Sequence, residues 1–226
     1  VVTSGPYVWT HASAGTLHGM KGCQDLMLDL KWEAISKKLG KGKLSLFAVG
    51  GFSTPLSNYE ADFQPMSIGM GSTNLSGRIT ADFQTGIFFA TISSAYVWRS
   101  NIKIDRTSYY TTELHNTNEV EMPDVINSNL NIGIRKKNLI AEVVLMNMKT
   151  LSGFDIRRND MPFASNQMKA TSIGAHAKYF IPWVTSLELI GGYDYVINGK
   201  DVGLAKNRNV GKSQTFTFGV YYLFSL

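Results

Sequence analysis

Between residues 25 and 33 the side chains alternate strictly: Asp25, Met27, Asp29, Lys31 and Glu33 are interleaved with Leu26, Leu28, Leu30 and Trp32. Three carboxylates this close in sequence raise a general acid/base reading, in which one carboxyl donates a proton and another accepts it. The spacing opposes that reading, because residues four apart on a strand lie about 13 Å from one another, too far to act on one bond. Cross-strand pairs remain open. The four histidines, His11, His18, His115 and His176, show no metal-ligand spacing. Cys23 is the single cysteine, so neither a Cys-rich zinc module nor a disulfide framework fits. No G-x-S-x-G elbow marks a serine hydrolase. The chain is therefore not read as an enzyme, and no catalytic residue, metal ligand or cofactor site is expected in it.

The same alternation identifies the elements that carry these residues. Of the 226 residues 44% are hydrophobic and 17% charged, the arithmetic of an ordered chain, read here as one domain over 1–226. The net charge of +5 comes from scattered basic residues that form no stripe, so nucleic acid is not an expected partner. No run of about 18 apolar residues occurs; the densest window, Leu139 to Met148, is broken by Glu142. Period-two alternation predicts strands at 25–34, 75–84, 126–135, 185–197 and 213–226, where apolar rows such as Leu75, Ile79 and Phe83 oppose polar rows such as Arg78 and Asp82. Less regular strands are expected at 7–14, 43–53, 86–99, 139–148 and 171–180, about ten in all.

The links between these strands alternate in length. Tight ones fall at 36–42, 85–86, 136–138 and 181–184, and long polar ones at 54–73, 100–124, 151–166 and 198–212. In an up-and-down meander this puts short turns at one rim and long loops at the other, the mark of an outer-membrane barrel. The expected fold is an all-β, transmembrane, antiparallel up-and-down β-barrel. Lipid offers the backbone no hydrogen-bond partner, so a sheet that meets it must close. A soluble β-sandwich packed by the same aromatics is the alternative. Trp32, Phe83, Phe88, Trp183 and Phe224 are expected near the short-turn rim, and Phe52, Tyr96, Trp98 and Tyr195 near the other. With the apolar faces toward lipid, the lumen is lined by Asp25, Asp29, Lys31, Glu33, Arg78, Asp82, Arg135, Glu142, His176, Lys178, Glu188 and Asp194.

The run from Gly22 to Trp32 (Gly-Cys-Gln-Asp-Leu-Met-Leu-Asp-Leu-Lys-Trp) resembles the G-x-G-D-L-x-L-x-x-K-Y signature of the outer-membrane proteins of the MetA-pathway of phenol degradation family. The Gly-rich stretch Phe47 to Gly51, the Thr54-Pro55-Leu56 loop opening and Ile68-Gly69-Met70-Gly71-Ser72 are similar in order. Gln24 stands where the second glycine is usual, and Trp32 where the tyrosine is. The resemblance implies a twelve-stranded barrel, hence an upstream hairpin before Val1, and an outer-membrane channel for small hydrophobic or aromatic molecules.

Two functions follow for the charged lumen. Paired across the interior, the groups would plug a barrel that serves as an accessory subunit of a larger outer-membrane complex. Left open, they would form an electrostatic constriction that sorts solutes. A barrel hydrolase would need Ser and His together on the outward face, whereas His176 falls on the polar one. The expected location is the outer membrane of a Gram-negative bacterium, with the lipid bilayer, lipopolysaccharide and a small solute as partners and a homo-oligomer open. Basic loops carrying Arg157, Arg158, Lys200, Lys206, Arg208 and Lys212 would meet lipopolysaccharide phosphates.

Overall fold

The computed structural model describes residues 21–61, 67–154, 163–184, 186–200 and 214–222, together with the strand pieces Val2–Thr3, Tyr7–Val8 and Thr16–Leu17. Its body is one antiparallel sheet of nine strands: β1 (Asp25–Leu39), β2 (Gly42–Pro55), β3 (Asn74–Thr85), β4 (Phe88–Arg99), β5 (Val125–Lys136), β6 (Leu139–Thr150), β7 (Lys169–Phe180), β8 (Leu187–Lys200) and β9 (Gln214–Tyr222). Each strand pairs with its predecessor and its successor in sequence, so the sheet is an up-and-down meander. The described strands carry the alternating rows that the sequence predicts, two to five residues longer in most cases. The expected strand over 7–14 is represented by Tyr7–Val8, paired with Thr16–Leu17; the rest of it lies outside the described residues, as does Phe224.

Two of the tight links are shorter than expected, and the one placed at 181–184 extends to 186. The link placed at 36–42 contracts to Gly40 and Lys41, because strand pairing continues to Leu39 opposite Gly42. Gly86 with Ile87, and Lys137 with Asn138, make two further two-residue turns. Gly40 and Gly86 adopt φ of 59° and 56°, the left-handed region that an L side chain enters at a cost of about 1–2 kcal/mol. Gly86→Val is thus expected to lower unfolding stability by about that amount, read as a drop in the urea midpoint; an unchanged midpoint would show that the turn relaxes freely.

Directly paired residues share a face of a sheet, so the register tells which rows meet. One face takes Leu28, Leu30, Ile79, Ile92, Ile132, Val143, Ile173, Phe216 and Phe218, and the other takes the charged rows. Two bulges keep this sorting intact. At Ala34 an extra residue in β1 shifts the phase, so that Ile35 and Leu39 stay on the apolar side. A second irregularity lies between Thr171 and Ser172, where the opposing register skips Ile197. Trp32 pairs with Ala48 in the middle of its strand, not at the short-turn rim as expected. Phe83, Phe88 and Trp183 do lie at that rim, and Phe52 and Trp98 near the other.

The described sheet is open. β1 and β9 are its two edges and do not pair with each other. Parity gives the reason: in an antiparallel meander of nine strands the first and last run in the same direction, so antiparallel closure requires one more strand between them.

Beyond the long-loop rim the connections are not simply solvated polar segments. Ile102–Lys103 pairs with Glu119–Val120, and Tyr109–Tyr110 with Leu114–His115, so the 100–124 connection forms a twisted ribbon that continues past β4 and β5. Ile102, Ile104, Val120 and Met122 bury their apolar row against Ala61 of one loop and Ala164 of another, with Met70, Tyr109 and Phe163 around them. Three connections thus share one small apolar core.

Candidate functional site

The burial pattern of the sheet is the reverse of a water-soluble protein's. Leu30 is 78% exposed, Ile79 71% and Phe218 82%, while Glu188 and Ser45 on the opposite face are each 5% exposed. Scattered exposed apolar residues are ordinary, but a continuous apolar face opposite buried charge is not. On the polar side, expected to line the lumen, Glu188 is buried and Asp82 and Asp194 are half-buried, whereas Asp29, Lys31, Glu33 and Arg78 toward the β1 edge are exposed.

Register brings all of them onto that one face. Asp25 of β1 lies opposite Pro55, and Asp29, Lys31 and Glu33 lie opposite Gly51, Val49 and Phe47, whose rows continue into Ser76, Arg78 and Thr80 of β3, with Asp82 on the next row opposite Ser45. The row of Asp82 runs on through Thr91, Asn131, Val144 and Gly174 to Asp194. Glu142 pairs with His176, and Lys178 and Glu188 follow on the same side of β7 and β8.

The charges on this wall pair along it. Arg135 of β5 reaches over Phe89 of β4, its guanidinium carbon 3.8 Å from the ring centroid, to grip both oxygens of Asp82 on β3 at 2.9 and 2.8 Å. Thr91 donates a further hydrogen bond to the same carboxylate. Such a bidentate fork fixes geometry as well as charge, and here it laces three consecutive strands. Lys178 pairs with buried Glu188, and His176 Nε2 meets Asp194 Oδ1 at 3.0 Å, both across β7 and β8. Lys43 sits 3.8 Å from Glu33 between two exposed side chains, a contact worth little on its own. Glu142 accepts a hydrogen bond from Asn131 at 3.0 Å. Every one of these contacts joins adjacent strands or strands one apart.

Glycines make room for this lacing. A Cβ at Gly192 would stand 2.8 Å from the His176 ring, and one at Gly174 would collide with the Asp194 carboxylate. The His176–Asp194 hydrogen bond therefore lies flat against the sheet over two residues without side chains. No protein-family model matches this chain, and no curated protein matches it. The resemblance to the phenol-degradation family accordingly rests on the short motifs between Gly22 and Ser72 alone.

Chemistry of other kinds finds little support on the wall. Among the described residues no three of His, Cys, Asp and Glu converge as metal ligands. His176 has a carboxylate partner, but among the described residues no hydroxyl nucleophile is hydrogen-bonded to its ring. His115 stacks on Tyr109 at 4.7 Å and bonds Thr111 Oγ1 at 2.9 Å, a structural position in the loop ribbon. Cys23 is exposed and free. His11, His18, Arg157, Arg158, Lys206, Arg208 and Lys212, and the side chain of Lys200, lie outside the described residues.

Sequence reasoning missed the groups that hold the wall to the loops. Tyr59, in the 56–73 connection, donates to Asp25 Oδ1 at 2.8 Å and accepts from the Gly71 N–H at 3.1 Å, tying the loop to the rim of β1. Burial first, then the bond to Asp25, pushes the Tyr59 phenol up to about 12. Because the folded value is raised, the stability from this anchor is fully present below the ordinary value of 10.0 and lost as pH climbs through about 12. A titration of phenolate absorbance is expected to show a late-ionising tyrosine that Tyr59→Phe abolishes, and Tyr59→Phe itself to lose about 1 kcal/mol, having orphaned the Gly71 donor. A variant that titrates like the parent would dissociate Tyr59 from that late step.

Proposed function

We propose that this chain is the wall of an outer-membrane β-barrel that passes small solutes along its charged face. The observation that carries the reading is the sorting of the two faces: continuous exposed apolar rows on one, and on the other the charged rows, with Glu188 buried and Asp82 16% exposed. Lipid rewards the first arrangement and a wet interior the second, whereas neither serves a protein dissolved in water. The meander with three two-residue turns and one six-residue link at one rim and long connections at the other supports it further. The reading requires the free edges of β1 and β9 to be paired in the membrane, since an unpaired edge is not tolerated in hydrocarbon. An added strand restores the even count that parity demands, in keeping with the ten to twelve strands expected from the sequence.

Lipid and the lipopolysaccharide of a Gram-negative outer membrane are the partners this reading implies, with a small molecule as the solute. Pairing along the wall supports an open passage, because charges satisfied by their neighbours leave the centre free of cross-links. The motif similarity adds an aromatic or hydrophobic solute to the proposal. A second reading, a non-conducting accessory barrel, is favoured by the packed apolar core that three long-loop connections form around Val120.

Single-channel recording of refolded protein in a planar bilayer separates the two. The channel reading expects steady conductance whose ion selectivity moves toward cations in Arg78→Ala and toward anions in Glu188→Ala. Silence from protein shown to be folded and inserted would overturn it in favour of the accessory barrel.

A further inference from the structure

Lys31 and Arg78 on the charged face line one cavity, and among the described residues neither has a carboxylate within ion-pair reach. They lie on one row of the register, Lys31 opposite Val49 and Val49 opposite Arg78, so their backbones stand about 9.5 Å apart across β2. Val49 between them is buried. Lys31 rests its ammonium 4.2 Å from the centroid of Phe47. Over this row opens a cavity of about 440 Å³, lined also by Thr80 and Asn129. Asp82 and Arg135 border it too and hold each other through their two-pronged contact, with Lys31 adding a longer-range attraction to Asp82, so the lining carries three cations and one carboxylate. The surplus in the cavity is two positive charges, side by side, above an apolar floor of Phe47 and Val49.

We propose that this cavity binds a small organic carboxylate with an apolar body. The carboxylate sits between Lys31 and Arg78, which satisfy its two oxygens, while the apolar body lies on Phe47 and Val49 with the hydroxyl and amide of Thr80 and Asn129 at its edge. An anion gains most from cations that lack an ion-pair partner, and Lys31 and Arg78 are two such cations side by side at this cavity. An uncharged aromatic would meet the same floor but leave both cations without a counter-charge. The proposal deepens the channel reading by naming its solute class, and it relies on that reading for access to the wall.

The test is isothermal titration of detergent-solubilised, refolded protein with benzoate, with benzyl alcohol as the uncharged counterpart. Benzoate is expected to bind and benzyl alcohol to bind at least tenfold more weakly. Lys31→Met and Arg78→Met should each weaken benzoate about tenfold, the loss expected for one charge-assisted contact. Arg78→Lys, which keeps the charge, should retain most of the affinity, and Lys137→Met in a distant turn should retain all of it. Circular dichroism of each variant separates lost binding from lost folding. Equal affinity for benzoate and benzyl alcohol, or folded methionine variants that bind benzoate as the parent does, would overturn the site. Because binding is read in detergent, benzoate captured by a protein that never conducts would sink the channel reading and leave the site standing.

Discussion

Replacing Ile79 by arginine is expected to cost about 2–4 kcal/mol of stability in a bilayer, the penalty for a cation near the middle of the lipid-facing side of a barrel. Ile79 lies mid-strand on β3, 71% exposed, on the face that carries Ile92 and Ile132. If that face met water, the same change would fall within about ±0.5 kcal/mol, since a cation on an exposed strand position disturbs nothing. The two environments therefore predict outcomes that differ by a factor of about ten or more in the folded-to-unfolded ratio. The measurement is reversible urea unfolding in liposomes followed by tryptophan emission, comparing Ile79→Arg with Thr80→Arg one residue away on the charged wall. The account expects the first to be strongly destabilised and the second to lose much less; equal, small changes would contradict it.

The second large effect is expected from Asp82→Ala. Removing this carboxylate strands Arg135, whose guanidinium is held above buried Phe89 with Asp82 as its ion-pair partner. Breaking a fully buried pair costs about 3–5 kcal/mol; with the Arg135 side chain still 31% exposed, screening reduces the expected loss to about 2 kcal/mol. The double variant Asp82→Ala with Arg135→Met removes the stranded charge and is expected to recover most of that loss, as a coupled pair must. The single variant also adds one net positive charge to the wall, so conductance through it should become more selective for anions. Additive losses in the double variant would show that Asp82 and Arg135 stabilise the sheet separately.

The two faces were legible in the sequence because a strand's period is two and nothing in this sheet is buried on both sides. Leu75, Ile79 and Phe83 against Arg78 and Asp82 assign one strand, and every charged residue expected on the wall falls on it. The phase of β1 past Glu33 was not legible, because the bulge at Ala34 carries no glycine or proline to announce it; only the pairing of Ile35 with Leu46 reveals the extra residue. The contacts within the wall were not legible either. Arg135 and Asp82 are 53 residues apart and meet only because β4 brings the flat ring of Phe89 between them. Ile102, Ile104, Val120 and Met122 do alternate with polar residues, a faint strand signal inside a long polar connection, but their burial depends on Ala61 and Ala164 from other loops. Closure, finally, is a property of the strand count: alternation assigns faces and says nothing about what lies beyond β1 and β9.

The claim on which the rest depends is that the face of Leu30, Ile79 and Phe218 meets hydrocarbon, and Trp32 reports on it directly. It sits mid-strand on that face and is 65% exposed. With Trp9, Trp98 and Trp183 changed to phenylalanine, the emission of Trp32 in liposomes should be quenched most strongly by lipids brominated deep in their acyl chains and little by aqueous iodide. Efficient quenching by iodide, with brominated lipids without effect, would place that face in water and contradict the account.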